Sequence, residues 1–332
     1  MNPLREYILL LLNKKRVQGA MNMDFNNFIA TVKEEVQKLV GNRYNVTVNC
    51  VMKINRELQG LSIRNQNTEY CPSIYLEDYY QEYQSGKSVI DIAEEIVSIS
   101  RQKNLNLSGI VENLQDYEWV KPRLRVKLIN YQRNVKLLKT IPHERILDLA
   151  IIPYIHLRKD NEIMSIKVHY PLMDVWNITS DSLMHIAKNN TLIMNPVVVE
   201  EMTHFILRMI IDDTKNLEVK NDDNEEILNS IFHNDQMQNE MYILTNKSNL
   251  DGAYAAFQTK ELKDLSYRIG SDELYLLPSS IHEVIVVNAK DMDPYKLKEM
   301  VISINSTQVE DKDFLSDSIY HYDRVMNLIS VV

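Results

Sequence analysis

Val284-Ile285-Val286-Val287 is a run of four apolar residues with no polar position among them, set directly after the polar stretch Pro278-Ser279-Ser280-Ile281-His282-Glu283. A strand with one wet face alternates apolar and polar side chains; a strand with none is expected to be covered on both faces, as a central strand under helices would be. The run closes the longer segment Met241–Val287, in which strand, helix and polar cluster follow one another without a break. Met241–Thr245 is short, apolar and β-prone, Asn246–Ser248 offers a turn and an N-cap, and Leu250–Arg268 reads as helix. Leu274–Leu277 reads as strand and Pro278-Ser279-Ser280 as a tight turn. A helix over Pro294–Asn305 and a strand over Ser318–Asp323 come next, the strand continuing as a hairpin through Asn327–Val331. Strand, helix, strand, strand, helix, strand is the ferredoxin-like, split βαβ order, with Met241–Thr245 and His282–Val287 as inner strands. A strand near Glu77 followed by a helix from Ser88, and a strand near Tyr170 followed by a helix from Ser180, echo it upstream. The expected fold class is α+β, with mixed sheets, repeated strand–helix units and a ferredoxin-like C-terminal part.

Scarcity of glycine excludes much of the usual chemistry. The 332-residue chain has seven glycines, and no two lie close together. A dinucleotide fingerprint or a phosphate-cradling loop needs two or three within a few residues, so the usual form of each is absent. Gly86-Lys87-Ser88 has Gln81 where such a loop needs its first glycine. It reads instead as a helix start, with Ser88 as N-cap and Asp91 in the capping-box position. None of the eight histidines lies three or four residues from another, which removes locally encoded metal motifs, and no cofactor motif is read. Cys50 and Cys71 lack a CxxC neighbour, so a reducing cytoplasm is the expected location. A formal net charge of -9 disfavours nucleic acid as a partner of the whole molecule. Ile8–Leu12 is far shorter than the ~20 apolar residues of a membrane span, and Lys14, Lys15 and Arg16 follow it, the reverse of a secretory signal. No membrane partner is expected.

The chain divides on composition into five parts. Residues 1–22 read as an extension or a misassigned start, because Met21 and Met23 stand just before a good helix start at Asp24. Residues 23–118 form an N-terminal α+β domain and 119–212 a middle α+β domain. Residues 213–240 are an acidic linker, and 241–332 are the C-terminal ferredoxin-like domain. In the first domain Asp24–Val40 is an amphipathic helix, with Phe25, Phe28, Ile29, Val32, Val36 and Leu39 at helical spacing and Gly41 at C′. Strands are expected at Tyr44–Lys53, Leu58–Asn65 and Ser73–Glu77. Alternation in the first makes Cys50 a small core residue, and Tyr79, Tyr80 and Tyr83 pack their rings at a helix–sheet seam.

In the middle domain Lys121–Lys139 carries seven Lys or Arg and no acid. Arg123, Arg125 and Lys127 alternate with apolar residues and so line one face of a strand. That face is either solvated and balanced by acids elsewhere, or a phosphate- or nucleic-acid-binding surface. Leu149–Leu157 pairs with Glu162–Tyr170, Ser180–Asn189 is a short helix, and Asn195-Pro196 opens a helix over Val197–Ile211, with Asn as N-cap and Pro at N1.

Four motifs carry a family likeness: Ile74-Tyr75-Leu76-Glu77-Asp78-Tyr79-Tyr80, Pro142-His143-Glu144 with Leu147-Asp148-Leu149, Tyr242-Ile243-Leu244-Thr245-Asn246-Lys247, and Leu277-Pro278-Ser279-Ser280-Ile281-His282-Glu283-Val284. Together they resemble a bacterial family known as domain of unknown function 5688, over about Met23–Asp323. The resemblance implies a cytoplasmic bacterial protein and no particular activity.

No constellation meets the needs of catalysis. On a strand Ser280 and His282 share a face with Cβ atoms about 7 Å apart, too far for a nucleophile–base bond, and Glu283 points the other way. Ser279, Ser280 and His282 are therefore expected to satisfy turn and strand-end backbone groups. Thr245, Asn246, Lys247 and Ser248, just past a strand end and at a helix N-terminus, are the candidate ligand site, suited to a small anion. If their strand ran parallel to that of His282, the two clusters would lie a strand length apart, about 17 Å; a different sheet order would let them converge. The function expected is a non-catalytic binding or regulatory module with a protein or small anionic ligand as partner. The alternatives are an enzyme assembled across domains, or a nucleic-acid-associated protein using 121–139.

Overall fold

The computed structural model describes residues 23–65, 71–102, 108–159, 162–206, 208, 241–278, 280–290 and 292–332. The extension 1–22, the acidic linker 213–240 and Ser279 lie outside the described residues. Contacts divide the chain into two units, one holding residues within 23–53 and 57–112, the other residues within 54–56 and 113–332.

In the first unit α1, Phe25–Val40, starts where the sequence places it. Asp24 Oδ1 accepts the Asn27 N–H at 2.8 Å, and Gly41, with φ 72, ends the helix in a conformation only glycine adopts without strain. Phe28, Val32 and Val36 face a three-stranded sheet of β1 (Tyr44–Lys53), β2 (Arg56–Asn65) and β3 (Ile74–Tyr75). α2 (Leu76–Gln84) and α3 (Val89–Gln102) complete the layer, and Phe28 meets Tyr80 and Tyr83 at ring distances of 5.2 and 5.3 Å. Ser88 Oγ accepts the Asp91 N–H at 3.1 Å, so the glycine-lysine-serine sequence is a helix cap. Cys50 departs from expectation: burial fades along β1 after Val46, and the thiol is exposed, 3.5 Å from Glu57 Oε2.

The second unit holds two sheets. In the four-stranded sheet β6 (Leu149–Lys159) carries β4 (Leu124–Asn130) along one edge, and β5 (Glu144–Ile146) then β7 (Glu162–Lys167) along the other. The expected pairing of the 149 and 162 strands is present. All seven residues of β4 are buried, and α4 (Ser180–Met194) lies against it, its Thr191 Oγ1 accepting the Val126 N–H at 2.8 Å.

The six-stranded sheet runs β13–β12–β10–β11–β9–β8. Its members are β8 (Val197–Glu201), β9 (Met241–Asn246), β10 (Glu273–Pro278), β11 (Val284–Asn288), β12 (Tyr320–Asp323) and β13 (Leu328–Val331). α5 (Thr259–Ile269) follows β9, and α6 (Pro294–Gln308) follows β11. β11 is central, flanked by β10 and β9, with Val284, Val286 and Val287 buried, as its unbroken apolar run requires.

Two expectations are corrected. The helix read over Val197–Ile211 begins instead as β8, which pairs with β9 from Val197↔Asn246 to Glu201↔Tyr242. Three consecutive β-branched valines favour an extended chain, and Asn195, read as an N-cap, closes α4 by donating its N–H to Thr191 O. The ferredoxin-like order is not formed either. It would set β12 beside β9, whereas β12 pairs β10 and the edge of β9 is taken by β8. Every register in this sheet is antiparallel, so it is not mixed. The α+β class itself stands.

The two sheets of this unit are tied by Asp148, at the β5–β6 turn. Its carboxylate accepts from Ser316 Oγ (2.6 Å), Ser318 Oγ (3.0 Å) and the hydroxyl of fully buried Tyr320 (2.7 Å). Asp148→Ala is expected to cost about 3 kcal/mol in urea unfolding, chiefly by orphaning the buried tyrosine hydroxyl. Adding Tyr320→Phe to that variant should return part of the loss; a double variant no more stable than Asp148→Ala would show the hydroxyl is not what the carboxylate serves.

Candidate functional site

The chain after β9 turns sharply, and the bonds of that turn decide what it can bind. Lys247 N–H donates to Pro196 O at 3.0 Å, and Asn249 N–H to Asn246 O at 3.0 Å. Ser248 N–H reaches Asn246 Oδ1 at 3.0 Å and Asn195 Oδ1 at 3.1 Å, while Asn246 Nδ2 donates to Leu250 O at 2.8 Å. Thr245 and Asn246 are buried; Lys247 and Ser248 are exposed. The backbone donors suited to an anion are therefore bonded within the chain. The following segment is not one long helix: a 3-10 helix, Gly252–Phe257, precedes α5.

Because β9 and β11 are antiparallel, with Leu244 opposite Val284, the end of β9 meets the start of β11. The two sequence clusters thereby come together: Thr245 Oγ1 donates to His282 O at 2.7 Å. Gly252 is wedged between them, and a Cβ there would lie 2.3 Å from Thr245 Oγ1 and 2.4 Å from His282 O. Glycine is required by this close approach of backbones. Asp251, held at φ 53, donates its N–H to His282 Nδ1 at 3.1 Å. An accepting Nδ1 places the ring proton of neutral His282 on Nε2, which faces Asp313 Oδ1 at 3.3 Å. Ser280 Oγ donates to Glu283 Oε1 at 2.8 Å and accepts the His282 N–H at 3.0 Å.

Below this turn lies a charge pair. Lys127 Nζ is 2.9 Å from Asp251 Oδ2, and each side chain is 8% exposed, so neither charge has water to fall back on. Lys127 Nζ also stands 4.5 Å over the Tyr154 ring. Burial first, and the Asp251 carboxylate second, push the Tyr154 hydroxyl well above its ordinary pKa. Burial and then the Arg125 guanidinium hold His156 below its own. Arg125 is itself buried, donating to Pro122 O (2.9 Å) and Leu124 O (2.7 Å). The alternation of Arg125 and Lys127 along β4 is as read from the sequence, but the face they line is interior. Neither of these two side chains is solvated.

A second feature is a cleft of about 290 Å³ lined by Arg133, Ile302, Asn305, Ser306, Val309, Asp311, Phe314 and Asp317. Arg133 stacks 3.6 Å over Phe314 and pairs with Asp311 at 3.0 Å. Asn305, on α6, is 7% exposed and donates Nδ2 to Ser316 O (2.9 Å) and Asp317 Oδ1 (3.0 Å), while its Oδ1 is buried without a partner.

The model of a protein family described as a family of unknown function (DUF5688) matches residues 25–324. The chain belongs to this family. No curated protein and no solved structure matches it. The family's description assigns no activity, so the DUF5688 chain has to be read from its own side chains. Among the described residues no group of three or more His, Cys, Asp or Glu is placed to hold a metal ion, and no helix is long and apolar enough to cross a membrane.

Sequence reasoning found Ser280, His282 and the Thr245–Ser248 turn but missed Asp251, Asp313 and Asn305. The first has a sequence signal: Asp251-Gly252 is a turn dipeptide inside the stretch Leu250–Arg268, whose pattern otherwise reads as helix. The Lys127–Asp251 pair makes a specific forecast. Lys127→Met, which strands a buried carboxylate, should cost about 3–5 kcal/mol. Adding Asp251→Asn, which removes the charge and tolerates the left-handed conformation, should recover much of that. A double variant as unstable as Lys127→Met would mean the charge pair is not the source of the loss.

Proposed function

We propose that the protein is a non-catalytic binding or regulatory module. One observation carries this reading: the side chains best suited to chemistry are each consumed by structural bonds. Ser280 gives its proton to Glu283, His282 uses both ring nitrogens on Asp251 and Asp313, and Lys127 is held by Asp251. A nucleophile needs a base about 3 Å away that is itself oriented by a third group. Here His282 meets Ser280 through its backbone N–H. A cluster bonded in this way makes a rigid support, which is what a binding surface needs from the layer beneath it. At the Thr245–Ser248 turn, exposed Lys247 is the group left to meet an anionic ligand, since the backbone donors there are bonded.

A fluorophosphonate probe, which labels activated serine hydroxyls, tests the reading. Incubated with the whole protein and followed by peptide mass spectrometry, it is expected to leave Ser280 unmodified. An adduct on Ser280 that disappears in His282→Ala would make the pair a nucleophile and its base, and the protein an enzyme.

A further inference from the structure

We propose that the face of the four-stranded sheet around Arg125 and His156 binds the phosphate group of a small phosphorylated ligand. This names a ligand class within the binding-module reading and rests on it, at a place apart from the Lys247 turn. Arg125 carries the argument. It is 9% exposed, and its Nη1 donates to two neutral carbonyls, Pro122 O at 2.9 Å and Leu124 O at 2.7 Å. Among the described residues no carboxylate pairs with it. Asp251, the acid that faces this part of the sheet, is spent on Lys127 at 2.9 Å. A charge held out of water is costly unless an opposite charge meets it, and here the chain supplies none. The guanidinium nitrogens that make no bond are not sealed inside the protein, so an ion arriving from outside can touch them.

Strand register supplies the neighbours. Arg125 on β4 lies opposite Tyr154 on β6, and His156, the next residue of β6 on that face, lies opposite Ser165 on β7. The face is interior at Lys127 and opens along β6, where Ser165 and Arg158 are exposed. His156 is half-buried and stands in the field of both Arg125 and Arg158. Neither of its ring nitrogens bonds to a described residue, and neither is sealed from the surface. Burial and the Arg125 guanidinium favour the neutral ring, which offers one N–H. A guanidinium fork, an imidazole N–H and a serine hydroxyl are donors suited to phosphate oxygens. With Lys127 answered by Asp251, two guanidinium charges are left on either side of His156. They match a phosphate dianion better than a singly charged carboxylate, and they repel a cation.

Titration calorimetry on the full-length protein, in low-salt buffer free of phosphate and sulfate, tests the site. The probes are inorganic phosphate and glycerol 3-phosphate, with sodium acetate as the carboxylate control and a single-stranded oligonucleotide as the polymeric one. Saturable binding of at least one probe is expected, weakening as salt is raised. Arg125→Gln should weaken it about tenfold or more. Arg158→Gln, at an exposed position, should weaken it about threefold and serves if Arg125→Gln is misfolded. No heat from either probe up to about 10 mM would overturn the proposal, as would unchanged affinity in folded Arg125→Gln or in Arg158→Gln. Acetate binding as tightly as the probes would remove phosphate as the ligand class. Binding of the oligonucleotide alone, lost in the same variants, would make the face a nucleic-acid surface instead. Any of these failures leaves the non-catalytic reading intact, because that reading is judged on Ser280 labelling, which does not involve this face.

Discussion

The ion pair between Lys127 and Asp251 sets the terms for the larger unit. Two opposite charges 2.9 Å apart, each 8% exposed, are tolerable only together, since either alone would be a desolvated charge. The pair joins the middle of β4, in one sheet, to the turn after β9, in the other. It also explains how a lysine sits in a strand with every residue buried. Asp251 takes the left-handed conformation and aims its carboxylate at the lysine while its N–H goes to His282. One residue thus serves the ionic core and the polar turn above it.

That turn depends on close approach. Gly252 lets the backbone at His282 and the Thr245 hydroxyl come within reach of each other, and Ala253 N–H then bonds Ile281 O at 3.1 Å. Ile281 N–H goes on to Asp313 O at 2.8 Å. The polar residues of this turn are therefore joints between segments, each paired where it would otherwise be costly. The cleft beside α6 differs in keeping an acceptor unmet.

Local patterns in this chain were legible and long-range ones were not. The 3.6-residue spacing of α1, its Asp24 cap, the Ser88 cap and the unbroken Val284–Val287 run each depend on neighbours in sequence, and each is found as read. Asn195-Pro196 is a helix-start signal that local reasoning cannot separate from the lead-in to an edge strand. Misreading β8 hid the partner of β9, and with it the sheet order and the meeting of Thr245 with His282. The β4 alternation was visible too, but its burial depends on a counter-charge 124 positions further along the chain. No sequence window spans that distance. Asn305 gave no sign at all, because an unmet acceptor is defined by what surrounds it in space.

The central claim is that the Asp251 turn is a rigid part of the core. Native-state hydrogen exchange of the Asp251 amide, read by NMR across a low-denaturant series, tests it most directly. The account predicts exchange only through global unfolding, with the same opening free energy and denaturant dependence as the buried β4 amides. Exchange by a denaturant-independent local opening, well below the global free energy, would contradict it and mark the turn as a mobile site.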